Sequence, residues 1–399
     1  MSQPYQFSTE IKLINRLLAL FPQREISADR ILEGALGRNY SLDDDVLADR
    51  LSTLCHSISS ESDLHPLGRF LISQKLQRDL RTRMKIISSY QSSSEPPSPL
   101  PKILLITGMQ RTGTTLLQRM LSSLEGFRGL KSWEVLDPVP SQYPGNSTMR
   151  KAKARIAQSI MERVNPEFGA IHKIRWDWEE EDVTLLDLSF LSTTYEAMLR
   201  VPSYAAWIET QDYTPAYDFL KLSLQVMLKD EQLPEVLILK SPHHMECLDV
   251  LFKVFDDVRV VQLHRDPMAS IPSMFSLSYQ ANKTFCTHRD PFEIGQHWLT
   301  KCFRMYQSSL ESRQNLSSDL FMDIDYTQLM SNPTTAVEKI YNFCGLQWSP
   351  SINNQVQTYI SDHPKGQHGN HNYRLSDFGI SPEIIRNTFK PLYDYFVNP

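Results

Sequence analysis

The residues of this chain that could do chemistry lie in four short stretches. The first is Gly108-Met-Gln-Arg-Thr-Gly-Thr-Thr115. Its glycines have the spacing of a phosphate-binding loop, G-x-x-x-x-G-K-[ST], but Thr114 stands where that motif has lysine. A triphosphate site needs that lysine on the β and γ phosphates and the next hydroxyl on Mg²⁺. Here the cation is Arg111, and the hydroxyls of Thr114 and Thr115 follow Gly113. One guanidinium, a row of amides and these hydroxyls suit a single tetrahedral oxyanion group and require no metal. Taken alone, the loop also reads as an ordinary glycine-containing turn. The second stretch, Lys240-Ser-Pro-His-His244, places an amine beside His243 and His244. The third runs from Arg265 through Ser270 to Ser273, and the fourth is Trp133-Glu134.

Each stretch needs an element to hold it. Ile103 to Ile106 is a short continuous apolar run, the pattern of a strand buried on both faces of a parallel sheet. From Thr115 the apolar residues change period, with Leu116, Leu117, Met120, Leu121 and Leu124 on one helical face. The loop therefore joins a strand to a helix whose unpaired N–H groups and positive dipole end favour an anion. Glu235 to Lys240 and Arg259 to His264 read as further buried strands, and Leu320 to Ile324 as a fourth candidate. Between the second and third, Ser241-Pro242 reads as a cap and first helical position, with apolar residues at helical spacing as far as Phe255. Strand, helix, strand at these lengths is a right-handed βαβ unit, so the expected class is α/β with a parallel sheet flanked by helices. Ligands of such sheets sit beyond the carboxyl ends of the strands, where the loop, Lys240 and Arg265 all fall.

Residues 8 to 87 read as helices, the last of them basic on its outer side through Arg78, Arg81 and Arg83, and Ser41-Leu-Asp-Asp44 reads as a cap signal. The Pro- and Ser-rich run from Ser92 marks a boundary, giving an N-terminal helical region over 1–95 and a P-loop-type domain over 96–399. Helices are expected from Arg150 to Arg163 and from Val183 to Leu199, as insertions over the acceptor side. The acidic run Glu179 to Asp182 reads as dipole partners at the start of the second.

The net charge of −5 argues against a general binder of nucleic acid or anionic membranes and for small-molecule partners. The five scattered cysteines form no C-x-x-C pair and suit reduced thiols of an intracellular protein. No window approaches the roughly 18 apolar residues of a membrane span. With no signal core or lipid-anchor motif, a cytoplasmic location is expected. The acceptor's identity and the oligomeric state are left open.

Arg111-Thr-Gly-Thr-Thr after an apolar strand resembles the 5′-phosphosulfate loop of the sulfotransferases that use 3′-phosphoadenosine 5′-phosphosulfate (PAPS). The whole chain resembles the branch of that superfamily with an N-terminal helical extension. The resemblance implies that Arg111, Thr112, Gly113, Thr114 and Thr115 hold the 5′-phosphosulfate, and that Arg265 and Ser273 hold the 3′-phosphate absent from ATP. It also implies that Lys240 shares the sulfonate or bridging oxygen. For removal of the acceptor proton the superfamily uses a histidine after the central strand or a glutamate after the loop helix. This sequence offers both, His244 and Glu134. Lys240-Ser-Pro-His-His244 resembles the family segment with the histidine at its last position, which favours His244 over His243, and a first-turn position in a helix would disfavour its imidazolium. Lys365-Gly366, with His368 and His371 nearby, is a partial match to a basic-glycine segment that completes the 3′-phosphate site in related enzymes. The implied activity is metal-free, in-line transfer of a sulfuryl group to a hydroxyl or amine of a small molecule. The aromatic residues between Trp133 and Tyr217 favour an apolar or aromatic alcohol. A P-loop kinase and a non-catalytic nucleotide-binding scaffold are the competing classes.

Overall fold

A computed structural model describes residues 6–38, 44–94, 96, 98–140, 146–171, 173–363 and 374–396. The expected Lys365-Gly366, His368 and His371 contact lies outside them, as do Ser41 to Asp43 of the cap signal.

At the centre is a parallel sheet of β1 (Lys102–Gly108), β2 (Phe127–Gly129), β3 (Val236–Lys240), β4 (Val258–His264) and β5 (Phe321–Asp325), in the order β2-β3-β1-β4-β5. Ile103 to Ile106 are essentially fully buried, because helices cover both faces of the sheet. Alternate residues divide between two cores. Ile103, Leu105, Leu237, Leu239 and Val260 point into one, and Leu104, Ile106, Ile238, Val261 and Leu263 into the other. The register places Ile106 opposite Lys240 on one side and Val261 on the other, so the carboxyl ends of β1, β3 and β4 open at one edge of the molecule. The strand β2 was not expected, because three residues carry no usable period.

The N-terminal helices are α1 (Thr9–Leu18), α2 (Ala28–Leu36), α3 (Asp45–Glu61) and α4 (Pro66–Gln91). The side chain of Asp44 caps α3 by accepting from the Leu47 N–H, and Pro66 occupies the first turn of α4. Leu54, Ile58, Ile72, Leu76 and Leu80 share one apolar cluster with β1, β3 and β4, so the core runs continuously across the boundary drawn at 95. Lys75 of α4 bridges Asp79 and Asp187 at 2.6 and 2.7 Å, tying the N-terminal helices to the central insertion. Two of the three arginines expected on a basic outer face of α4 are engaged elsewhere. Arg83 is buried with its guanidinium 3.8 Å from the Phe219 ring centre, and Arg78 pairs with buried Asp79.

After β1 come α5 (Thr114–Ser122), α6 (Ser132–Leu136) and α7 (Asn146–Val164), the last where a helix was expected. The single helix expected over Val183–Leu199 is instead two short ones, Val183–Leu186 and Thr194–Met198, separated by a 3₁₀ turn and Phe190 in the left-handed region. Hydroxyl chemistry explains the break. The Ser192 hydroxyl donates to Asp187 and accepts from the Thr194 N–H, giving the backbone an alternative to the helical ladder.

Candidate active site

Gly108 ends β1 with φ +137, and a Cβ there would sit 2.5 Å from the Leu263 carbonyl oxygen of the neighbouring strand. Glycine lets the loop leave the sheet this close to β4. Gly113, at φ +96, is the left-handed cap from which α5 begins. Between them Arg111 adopts φ 68, a conformation rarely held by a residue with a side chain and concentrated at ligand clamps. Its side chain is exposed. Thr112 is buried, and both its hydroxyl and its N–H donate to the Met109 carbonyl, so it braces the loop from inside. Thr114 and Thr115 form the first turn of α5.

Arg265 follows β4 and donates from Nη1 to the Arg111 carbonyl at 2.7 Å. Its guanidinium carbon stacks 4.0 Å from the ring centre of Tyr326, the residue after β5. The Arg265 guanidinium is therefore tied to the backbone of the loop that carries Arg111. Ser273 lies buried in the helix Pro267–Lys283, which begins with Asp266 as cap and Pro267 in its first turn.

Lys240 ends β3 beside α5. Its Nζ is 3.5 Å from Thr115 Oγ1 and 2.7 Å from Glu181 Oε1. The next residue, Asp182, is fully buried. One oxygen accepts the Lys240 backbone N–H at 2.8 Å and the other meets His244 Nε2 at 2.6 Å. Burial opposes the charge of Asp182, but His244 and these hydrogen bonds outweigh it and hold the carboxyl below its ordinary range. The acidic run is thus no set of solvated dipole partners. Glu179 pairs with Lys131, Glu181 with Lys240 and Asp182 with His244.

Pro242–Glu246 is a 3₁₀ turn rather than the first turn of an α-helix, so the dipole argument for His244 does not apply. A carboxylate only accepts, so His244 Nε2 carries the hydrogen, and Tyr217 Oη lies 2.7 Å from Nδ1. Both nitrogens are engaged inside the protein, and His244 braces the end of β3. His243 is enclosed too, with Nδ1 3.3 Å from Thr193 Oγ1 and Nε2 without a partner among the described residues. Burial, then the neighbouring His244 and Lys301, push it down to about 3. Glu134 is buried at β2, its two oxygens accepting from Arg128 and from the Lys131 N–H, which caps α6.

The structure therefore brings Arg111, Thr114, Thr115, Lys240 and Arg265 to one edge and turns His244, Glu134 and Thr112 inward. Sequence reasoning missed Glu181, Asp182 and Tyr217 as parts of this edge. The acidic run itself was the visible signal, and its partners on β3 were not.

The model of the Sulfotransferase family matches residues 101–350, from the start of β1 to beyond β5. Among curated proteins the chain is 21% identical over 270 residues to the omega-hydroxy-beta-dihydromenaquinone-9 sulfotransferase Stf3 of Mycobacterium bovis, covering 65% of this chain and 67% of that protein. The solved structure of sulfotransferase STF1 from Mycobacterium tuberculosis H37Rv is 27% identical with a TM-score of 0.79, over 92% of this chain and all of that one. Sulfotransferase STF9 from Mycobacterium avium, 22% identical, shares the fold with a TM-score of 0.83 over 93% of this chain and 97% of its own. An anion loop without the kinase lysine, set beside two further cationic strand ends and carried on a sheet matched from its first strand to its last, has one consistent assignment: the chain belongs to the sulfotransferase family.

Proposed function

We propose that this sulfotransferase uses PAPS as its donor and transfers the sulfuryl group in line to a hydroxyl or amine of a small molecule. The observation that carries the reading is the 2.7 Å hydrogen bond from the Arg265 guanidinium to the Arg111 backbone carbonyl, which ties the end of β4 to the loop that carries Arg111, Thr114 and Thr115. The residues fit such a donor. Arg111, the α5 amides and the hydroxyls of Thr114 and Thr115 suit the 5′ end, and Arg265 with Ser273 suits the 3′-phosphate. Arg111 and Lys240 would balance charge growing on the departing phosphate, and the rigid strand ends would align the reacting atoms. The inward bonds of His244 and Glu134 support positioning roles for both, in place of the proton transfer expected of them.

The acceptor is proposed to be an apolar alcohol. Half-buried Trp133, Trp176 and Trp178 lie on the insertion beside the acidic run, and the relative Stf3 is named for a hydroxylated menaquinone. Among the described residues no helix is long and apolar enough to cross a membrane. All five cysteines are free and buried, which supports a reducing, cytoplasmic setting. Transfer of labelled sulfate from PAPS to an alcohol panel tests the function. Arg111→Ala is expected to abolish transfer while keeping the wild-type circular dichroism spectrum. Equal transfer by the variant would overturn the reading.

A further inference from the structure

With His244 and Glu134 committed internally, the cleft still needs a group to take the acceptor's proton. We propose that Glu181 is that general base, an inference that rests on the PAPS-dependent reading above.

Glu181 Oε1 lies 2.7 Å from Lys240 Nζ, which lies 3.5 Å from Thr115 Oγ1 in the first turn of α5. The carboxylate is therefore within two hydrogen-bond lengths of the helix turn that would hold the sulfated phosphate. Its side chain is 24% exposed, against 0% for Asp182 beside it, so an acceptor can approach it. The second oxygen, Oε2, has no hydrogen-bond partner among the described residues. His243, the remaining candidate, is 1% exposed with Nε2 enclosed, and its depressed proton affinity makes it a poor acceptor of protons near neutral pH.

Asp182 is fixed from both sides by the Lys240 N–H and His244, so the adjoining Glu181 is presented from a rigid point at the end of β3. Lys240 and Glu181 then divide the work. As donor charge draws the Lys240 ammonium toward the bridging oxygen, the carboxylate is released from its ion pair and is free to accept a hydrogen bond from the acceptor hydroxyl. The acceptor oxygen forms its bond to sulfur while the bond between sulfur and the 5′-phosphate oxygen breaks. The electron pair leaves on the phosphate beside Lys240 and Arg111, and the hydroxyl proton passes to Glu181.

The test compares wild type, Glu181→Gln and His243→Gln in three measurements. The first is the thermal midpoint with and without 3′-phosphoadenosine 5′-phosphate. The second is release of sulfate from PAPS with water as the only acceptor. The third is transfer to an alkyl alcohol and to the acidic phenol 4-nitrophenol. In Glu181→Gln the nucleotide should raise the midpoint at least as much as in wild type, because only a negative charge has left an anion site. Sulfate release and alkyl transfer should fall by about 100-fold or more. The loss on 4-nitrophenol should be under about tenfold, since an acidic hydroxyl depends less on a base. His243→Gln should keep wild-type rates. Sulfate release in Glu181→Gln at or above the wild-type rate would overturn the proposal and make Glu181 a restraint on Lys240. An equal loss on every acceptor, or a loss confined to His243→Gln, would overturn it too. A wild type that neither responds to the nucleotide nor consumes PAPS would instead sink the donor reading, and Glu181 with it.

Discussion

His243 resists protonation inside the fold, and that has a measurable cost in acid. Its value falls from the ordinary 6.5 to about 3, chiefly by burial. The unfolded chain takes up this proton below 6.5 while the native chain does not until about 3, so stability present above 6.5 is lost as the pH falls through that window. Between pH 7 and pH 5 this residue alone should remove about 2 kcal/mol. Urea unfolding at the two pH values should show that loss, and His243→Gln should reduce it by the same amount; an unchanged slope in the variant would refute the assignment. Groupings of residues were legible where partners are neighbours in sequence. Arg111, Thr114 and Thr115, proposed to hold an anion, stand out because one loop carries them together. Glu181 and Asp182 do not, because the groups that define them, at Lys240 and His244, lie 59 and 62 residues away.

The loop depends on backbone shapes that its glycines alone supply freely. At Gly108 a methyl group would meet the Leu263 carbonyl at 2.5 Å, at a φ of +137 that side chains disfavour. Gly108→Ala should lower stability by about 1–3 kcal/mol and weaken binding of 3′-phosphoadenosine 5′-phosphate, because β1 must part from β4 to admit it. Denaturant melts and calorimetric titration check both effects, and a variant matching wild type in each would contradict the account. Strands β1, β3 and β4 were readable because burial on both faces writes a continuous apolar run. The helix expected over Val183–Leu199 was not interrupted by any glycine or proline. Its break comes from the Ser192 hydroxyl, held by Asp187, taking the Thr194 N–H from the backbone, which apolar periodicity does not register.

Across the whole molecule, the N-terminal helices complete one face of the sheet. Leu80 of α4 is fully buried in the cluster that also takes in Leu105 of β1 and Leu239 of β3. Leu80→Ala should cost about 2–5 kcal/mol and lower a single melting transition, since the cavity opens in a shared core. Two separate transitions in calorimetry would show instead that residues 1–95 fold independently. The most direct test of the central claim, one groove gripping both phosphorylated ends of the donor, is titration calorimetry with 3′-phosphoadenosine 5′-phosphate, adenosine 5′-phosphate and Mg·ATP. Wild type should prefer the first. Arg265→Ala should lose about ten- to a hundredfold in affinity for it while binding adenosine 5′-phosphate unchanged. A preference for Mg·ATP, or equal weakening of both nucleotides in the variant, would contradict the account.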